Sequence, residues 1–402
     1  MGSECGETFW QVHRDQIVCD PEVVYLNTGS YGLLPRCVYE AYMRDREAMS
    51  REPVRFLWRE FPERHWRVRQ RLARFLNVEP RHLIFTINVT AALNIVGLGL
   101  REKLRGPIVV TDQEYGAMMF LWREVANRHG VELRVVELPR GDGVEQGAVI
   151  ERVAEALEGA ALLAVSHVTY MSGMRLPVQE LCGLARERGV LTVIDGAHAP
   201  GMFPLDLSAL DADFYAGNCH KWLLAPISAG FLWVHPRVES LIQPVVVSWG
   251  WEYEPATRHE RNEYGSTPWL RSFEFQGTRD VCAWLAVERA IEVHEQIGRE
   301  RIWQRVLELT GELRRRVAPF GWLEPFCDGD RSLWSGVTGF RLPEGIDPAR
   351  LTRFLWERFR IEAPAWELPI GRCLRISTHF YNSAEELERL ADALRAFETL
   401  GS

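Results

Sequence analysis

The sequence predicts an α/β fold: a large domain on a mostly parallel, seven-stranded sheet flanked by helices, followed by a smaller C-terminal α+β domain. Three observations carry this reading. Seven short β-rich runs alternate with helix-like stretches between about residues 80 and 235. Several of these runs are apolar without alternation, as expected of strands covered on both faces. After about residue 280 the pattern changes to long helix, then to strands and helices of a second unit.

The strand candidates, in order, are His82–Ile87, Pro107–Thr111, Glu132–Leu138, Ala161–His167, Leu191–Ile194, Asp213–Tyr215 and Ala229–His235. Helical stretches such as Val178–Arg188 separate most of them. Alternating β and α implies a parallel sheet with helices on both sides. Arg279 to about Val317 reads as long helix, broken near Gly298. Gly336–Leu342 reads as strand, Pro348–Phe359 as helix and Cys373–Thr378 as strand. The last helix opens on Ser383-Ala-Glu-Glu386, a capping box. Its apolar residues Leu387, Leu390, Ala391, Leu394 and Phe397 form one stripe. These assignments divide the chain into an N-terminal arm (1–22), a large domain (23–290) and a small C-terminal domain (291–402).

The chain has 402 residues, enough to bury a large core without disulfide or metal staples. Its net charge of −8 argues against a nucleic-acid or anionic-membrane partner, which would call for a basic surface. No apolar run approaches a membrane span, and the N-terminal residues lack the basic and apolar regions of a secretory signal. The eight cysteines, at positions 5, 19, 37, 182, 219, 282, 327 and 373, form no CxxC pair. Neither a zinc site nor a redox motif is therefore indicated, and reduced thiols in the cytoplasm are expected.

Five segments carry candidate chemistry. Val193-Ile-Asp-Gly-Ala-His198 ends an apolar strand on Asp195, where open α/β sheets bind ligands; a loop aspartate capping the next turn is the alternative. Asn218-Cys-His-Lys221 follows another strand end. A desolvated Lys221 would have a depressed pKa and attack carbonyls, whereas a surface lysine would do neither. A pyridoxal 5′-phosphate (PLP) enzyme needs such a lysine for a Schiff base and an acid facing the pyridine nitrogen, and Asp195 supplies the acid. Thr86-Ile-Asn-Val-Thr-Ala-Ala92 passes from strand to helix near Thr90. That helix start is either a phosphate seat or simply a capped terminus. Arg375, in Arg372-Cys-Leu-Arg-Ile-Ser377, suits a substrate carboxylate or a structural salt bridge. Tyr115, in Asp112-Gln-Glu-Tyr115, would stack on a pyridine ring or pack in the core.

Together with Tyr25-Leu-Asn-Thr-Gly-Ser-Tyr-Gly-Leu-Leu-Pro35, Asp195-Gly-Ala-His198, Gly217-Asn-Cys-His-Lys-Trp222, Gln276-Gly-Thr-Arg-Asp280 and Arg375-Ile-Ser-Thr-His-Phe-Tyr-Asn382, the sequence resembles the class V aminotransferase family. These are PLP-dependent enzymes of fold type I, and the resemblance is strongest to their isopenicillin N epimerase-like branch. It implies that Lys221 carries the cofactor and that Asp195 pairs with its ring nitrogen. His198 would lie near the ring hydroxyl and Tyr115 would stack on the ring. Val89, Thr90, Asn218 and His220 would hold the phosphate, and Thr169 would also touch the cofactor. Gly277 and Thr278 match a loop that reaches the neighbouring subunit's cofactor, which implies a homodimer with shared sites. Arg375 would clamp the carboxylate of an amino-acid substrate, with Asn27 on the substrate side.

The implied reaction starts at the α-carbon, through a Schiff base and a quinonoid. Epimerisation ranks first. A C–S β-lyase acting on a cysteine S-conjugate, an aminotransferase and a decarboxylating enzyme are the alternatives. The stretch Arg360-Ile-Glu-Ala-Pro-Ala-Trp-Glu367 lacks the loop cysteine of cysteine desulfurases, and Cys373 either approaches the pocket or packs in the core. Of the 15 tryptophans, Trp58, Trp249, Trp251 and Trp366 either line a pocket or belong to the core. Two other classes stay open: a metal-dependent hydrolase using His167, His198, His220 and Asp195, and a PLP-binding protein without catalysis. No metal is expected at the PLP site.

Overall fold

In the computed structural model, residues 6–368 and 370–401 are described; Cys5 and the rest of 1–5 in the expected N-terminal arm lie outside them. All seven strand candidates form one sheet. They are β1 (Leu83–Thr86), β2 (Ile108–Thr111), β3 (Leu133–Val136), β4 (Leu162–Ser166), β5 (Leu191–Gly196), β6 (Phe214–Asn218) and β7 (Gly230–Val234). The spatial order is β1-β7-β6-β5-β4-β2-β3. Only β7 runs antiparallel to its neighbours, β1 and β6. The others pair in parallel.

Why these runs become central strands follows from the two cores on either face. On β5, β6 and β7, successive apolar residues go to opposite sides. Ile194, Tyr215, Phe231 and Trp233 join one core; Val193, Phe214, Ala216, Leu232 and Val234 join the other. Helices Arg36–Arg51, Phe61–Leu76 and Cys282–Ile297 pack together on the first side. Helices Val89–Gly99 and Gly116–His129 cover the second. A strand sandwiched in this way must be apolar on both faces, which is the pattern in the sequence.

The C-terminal part holds a four-stranded antiparallel sheet in the order Glu324–Pro325, Val337–Arg341, Gly371–Ser377, Ala365–Leu368. Its core includes Leu313, Phe340, Leu374, Leu390 and Leu394. The long helix is interrupted at Gly298 as the sequence implies, giving Cys282–Ile297 and Arg299–Val317. The capping box forms in both directions: Ser383 N donates to Glu386 Oε2 at 3.0 Å, and Glu386 N to Ser383 Oγ at 3.2 Å.

A short N-terminal segment ties this part to the first. Val24–Tyr25 pairs in parallel with Ile361–Glu362, and Ser377 N donates to Leu26 O at 2.8 Å. Gly32 then lies against the chain at Lys221, where a Cβ would stand 1.9 Å from the Lys221 carbonyl oxygen. Only a residue without a side chain can make that approach.

Candidate active site

Ser166, Asp195 and Asn218 stand at the carboxyl edge of three adjacent strands, β4, β5 and β6, with Ser166 in register beside Asp195. A cavity of about 700 Å³ opens at this edge. Asp195, His198, Asn218, His220, Lys221, Val89, Thr90, Tyr115 and Arg375 all line it, so most of the residues singled out from the sequence meet in one place.

Lys221 lies three residues beyond β6. Its Nζ stands 3.1 Å from His198 Nε2. Trp222 Nε1 donates to His198 Nδ1 at 3.3 Å. With Nδ1 accepting, the neutral imidazole carries its proton on Nε2 and turns it toward the lysine amine. Burial, then the Lys221 charge, hold His198 well below its ordinary range, so the neutral ring is the state at pH 7. Burial also pushes the Lys221 ammonium down to about 7; Arg375 acts in the same direction and Asp195 opposes it. A large fraction of such a lysine is free amine at neutral pH, the form that attacks a carbonyl.

Asp195 Oδ1 accepts from Ala197 N at 2.9 Å. Burial raises its pKa, while the Ala197 N–H and Lys221 pull it back. A second carboxyl lies close by, on Glu114. Thr111 Oγ1 donates to its Oε1 at 2.6 Å and Ser166 Oγ to its Oε2 at 2.5 Å. Burial lifts Glu114 to about 7 despite these two donors.

The helix Val89–Gly99 starts at the cavity. Asn88 caps it by accepting from Ala91 N at 2.8 Å. Asn218 Oδ1 takes the Val89 N–H at 2.9 Å, so that amide is already engaged. Thr90, second in the helix, has no intrahelical acceptor for its N–H and adds a hydroxyl. His220 Nδ1 lies 3.1 Å from the Ala229 carbonyl oxygen, which leaves Nε2 for a ligand. An N–H, a hydroxyl and an amide NH₂ at a helix start make an anion seat; with Nδ1 donating to Ala229 and burial lowering its pKa to about 4, His220 adds a donor only when Nε2 is protonated.

Arg375 is 3 % exposed, and among the described residues no carboxylate pairs with it. Its guanidinium donates to Asn27 Oδ1 at 2.9 Å, Ser30 Oγ at 2.7 Å and Tyr170 O at 3.1 Å. It also lies over the Trp366 ring, 4.8 Å from the centroid. All these partners are neutral, and its Nε is buried without any. Burial accordingly lowers its pKa to about 10. Gly29 completes the enclosure: a Cβ there would stand 2.8 Å from Ser377 Oγ and 3.3 Å from Arg375 Cζ.

The other residues named from the sequence are placed as follows. Thr169 is fully buried but does not line the cavity; its Oγ1 bonds Ser172 Oγ at 2.6 Å and accepts from Met174 N at 2.9 Å. Its neighbours Val168 and Tyr170 line the cavity instead. Gly277 and Thr278 line a separate groove of about 160 Å³ with Trp58, Phe61, Tyr264 and Phe275. His167 turns from the strand edge to bond the Tyr215 hydroxyl at 2.9 Å and packs on Phe203, so the four-residue metal cluster does not assemble. Cys373 is fully buried against Met171 and Phe326, outside the cavity. Trp366 lines the cavity, while Trp249 is 77 % exposed. The sequence reading missed Ser166, Glu114, Tyr170, Ser30 and Gly29. Ser166 was within reach, since it ends a strand beside Asp195.

The cavity offers a near-neutral amine for an aldehyde, a buried carboxylate for a ring nitrogen and an anion seat for a phosphate. PLP presents these three groups, and the class so defined is the PLP-dependent enzymes of fold type I. The family model for class V aminotransferases matches residues 24–390. The chain is 45% identical over 392 residues to the isopenicillin N epimerase of Streptomyces clavuligerus, covering 96% of this chain and 98% of the relative. The isopenicillin N epimerase of Amycolatopsis lactamdurans is 43% identical over 394 residues, with the same coverages. Among solved structures, the complex of the cystine C–S lyase C-DES with its product cysteine persulfide superposes with a TM-score of 0.80. Its identity is 25%, over 93% of this chain and 97% of that one. The chain belongs to the class V aminotransferase family, and its cofactor is PLP.

Proposed function

We propose that the protein inverts an α-carbon of an amino-acid substrate, in the manner of the isopenicillin N epimerases it resembles. The observation that carries the reading is Arg375, a buried guanidinium with neutral partners only, in the same cavity as an amine of pKa about 7. A buried cation without an anion is costly, and a substrate carboxylate supplies the missing charge.

Lys221 would join the cofactor aldehyde and Asp195 would face its ring nitrogen. Thr90, Asn218 and His220 would hold the phosphate, Val89 would pack beside it, and Tyr115 would lie against the ring. When bound, PLP supplies an electron sink for the pair left at the α-carbon. Arg375, oriented by Asn27 and Ser30, fixes the carboxylate and so aims the α-hydrogen. Lys221 Nζ, freed when substrate takes its place, would accept that proton, and delivery of a proton to the opposite face of the α-carbon would complete the inversion. No cysteine lines the cavity among the described residues, which disfavours persulfide formation. We also propose that the active form is a homodimer in which Gly277 and Thr278 reach the partner's cavity.

Incubation with isopenicillin N and a panel of L-amino acids in heavy water tests the reaction. Deuterium at the α-carbon with inversion is expected. Pyruvate with ammonia, or a keto acid, would replace this reading by elimination or transamination. Lys221→Ala should lose the borohydride-sensitive visible band of the loaded protein.

A further inference from the structure

We propose a second ligand site, for a zinc-type divalent cation, on the far edge of the large sheet. Strands β1 and β7 pair antiparallel with Leu83 opposite Trp233. This brings His82, just before β1, to Glu239, in the short helix Pro236–Leu241 after β7. His259, after the turn Pro255–Thr257, folds over both. The three side chains offer one donor atom each, all within 4.8 Å of one another.

The spacing has the form of a coordination shell. His82 Nδ1 lies 3.3 Å and His259 Nε2 2.9 Å from the same carboxylate oxygen, Glu239 Oε2. Ligand atoms about 2.0–2.1 Å from a tetrahedral zinc sit roughly 3.3 Å apart. His82 Nδ1 is buried and makes no hydrogen bond, although that oxygen is so close. An ion between them would engage both lone pairs. The other oxygen, Oε1, accepts from Arg258 Nε at 2.9 Å and lies 3.0 Å from His259 Nε2. An orienting hydrogen bond of the Arg258 kind commonly fixes a metal-binding carboxylate. Trp269 flanks both imidazoles, with centroids 6.1 and 5.8 Å away. Glu239 is 8 % exposed, while the His259 side chain keeps 27% exposure, which leaves room for water as a fourth ligand. Two imidazoles and one carboxylate favour zinc and its first-row neighbours over magnesium or calcium. None of the three lines the PLP cavity, so the site is independent of the catalytic reading.

Bound metal would staple the segment around His259 to the sheet. Calorimetric titration of the PLP-loaded protein with Zn²⁺ tests this, alongside His82→Asn and His259→Asn. One zinc per chain and a raised thermal midpoint are expected for the native protein. Each variant should lose that site and the thermal shift, while keeping the cofactor band. His259 lies on a surface segment, so His259→Asn decides the matter if His82→Asn does not fold. Absence of zinc binding by the native protein, or unchanged binding in His259→Asn, overturns the proposal.

Discussion

The carboxylate seat proposed at Arg375 makes a prediction at the scale of one residue. Its charge-assisted hydrogen bonds to a carboxylate are worth about 1.5–3 kcal/mol. Arg375→Ala should therefore lower kcat/KM by roughly 10- to 100-fold, mostly through KM, and leave the cofactor band intact. Steady-state kinetics with parallel spectra would show it. Glu114 makes a prediction of a different kind. Its folded pKa of about 7 exceeds the ordinary 4.5, so the folded state holds a proton that the unfolded chain releases between those values. The stabilisation is complete below pH 4.5 and is lost as pH rises through 7. The shift corresponds to about 3 kcal/mol. Glu114→Gln in the apoprotein should gain about that much on the native protein between pH 4.5 and 8, read from urea midpoints; parallel midpoints would remove the shift.

Among the elements, the helix Val89–Gly99 joins folding to ligand binding. Asn88→Ala should destabilise it by about 1 kcal/mol and also weaken PLP affinity, because the same turn presents the Thr90 N–H. Equilibrium dialysis and thermal melts would separate the two effects. The sheet was legible because sandwiched strands leave uninterrupted apolar runs, and the strand ends gave Asp195 and Lys221. The Val24–Tyr25 pairing and the strand Ala365–Leu368 were not legible, because two- and four-residue strands leave no periodicity to read. Thr169 failed for a related reason. Alternation beyond β4 sends neighbouring side chains opposite ways, and a one-residue choice cannot be made without the register. Glu114 was hidden because nothing in a lone carboxylate tells whether it is buried.

At the scale of the whole molecule, the groove beside Gly277 and Thr278 exposes Trp58 at 55% and Tyr264 at 37%, next to Phe61 and Phe275. Apolar surface of this kind is expected to be covered by a second subunit. Sedimentation should give a dimer. Mixing an inactive Lys221→Ala chain with an inactive Thr278→Trp chain should restore activity in part, since one hybrid site keeps both native residues; no recovery would argue against sharing. The tie between Asn27 and Arg375 has a temporal side. These two residues are 348 positions apart, yet they are hydrogen-bonded, and the proposed carboxylate seat needs both. A ribosome makes the chain from one end, so the seat stays open until residue 375 has been made. Amino acids, abundant in every cell, therefore meet no finished trap on a chain that has Asn27 but not yet Arg375.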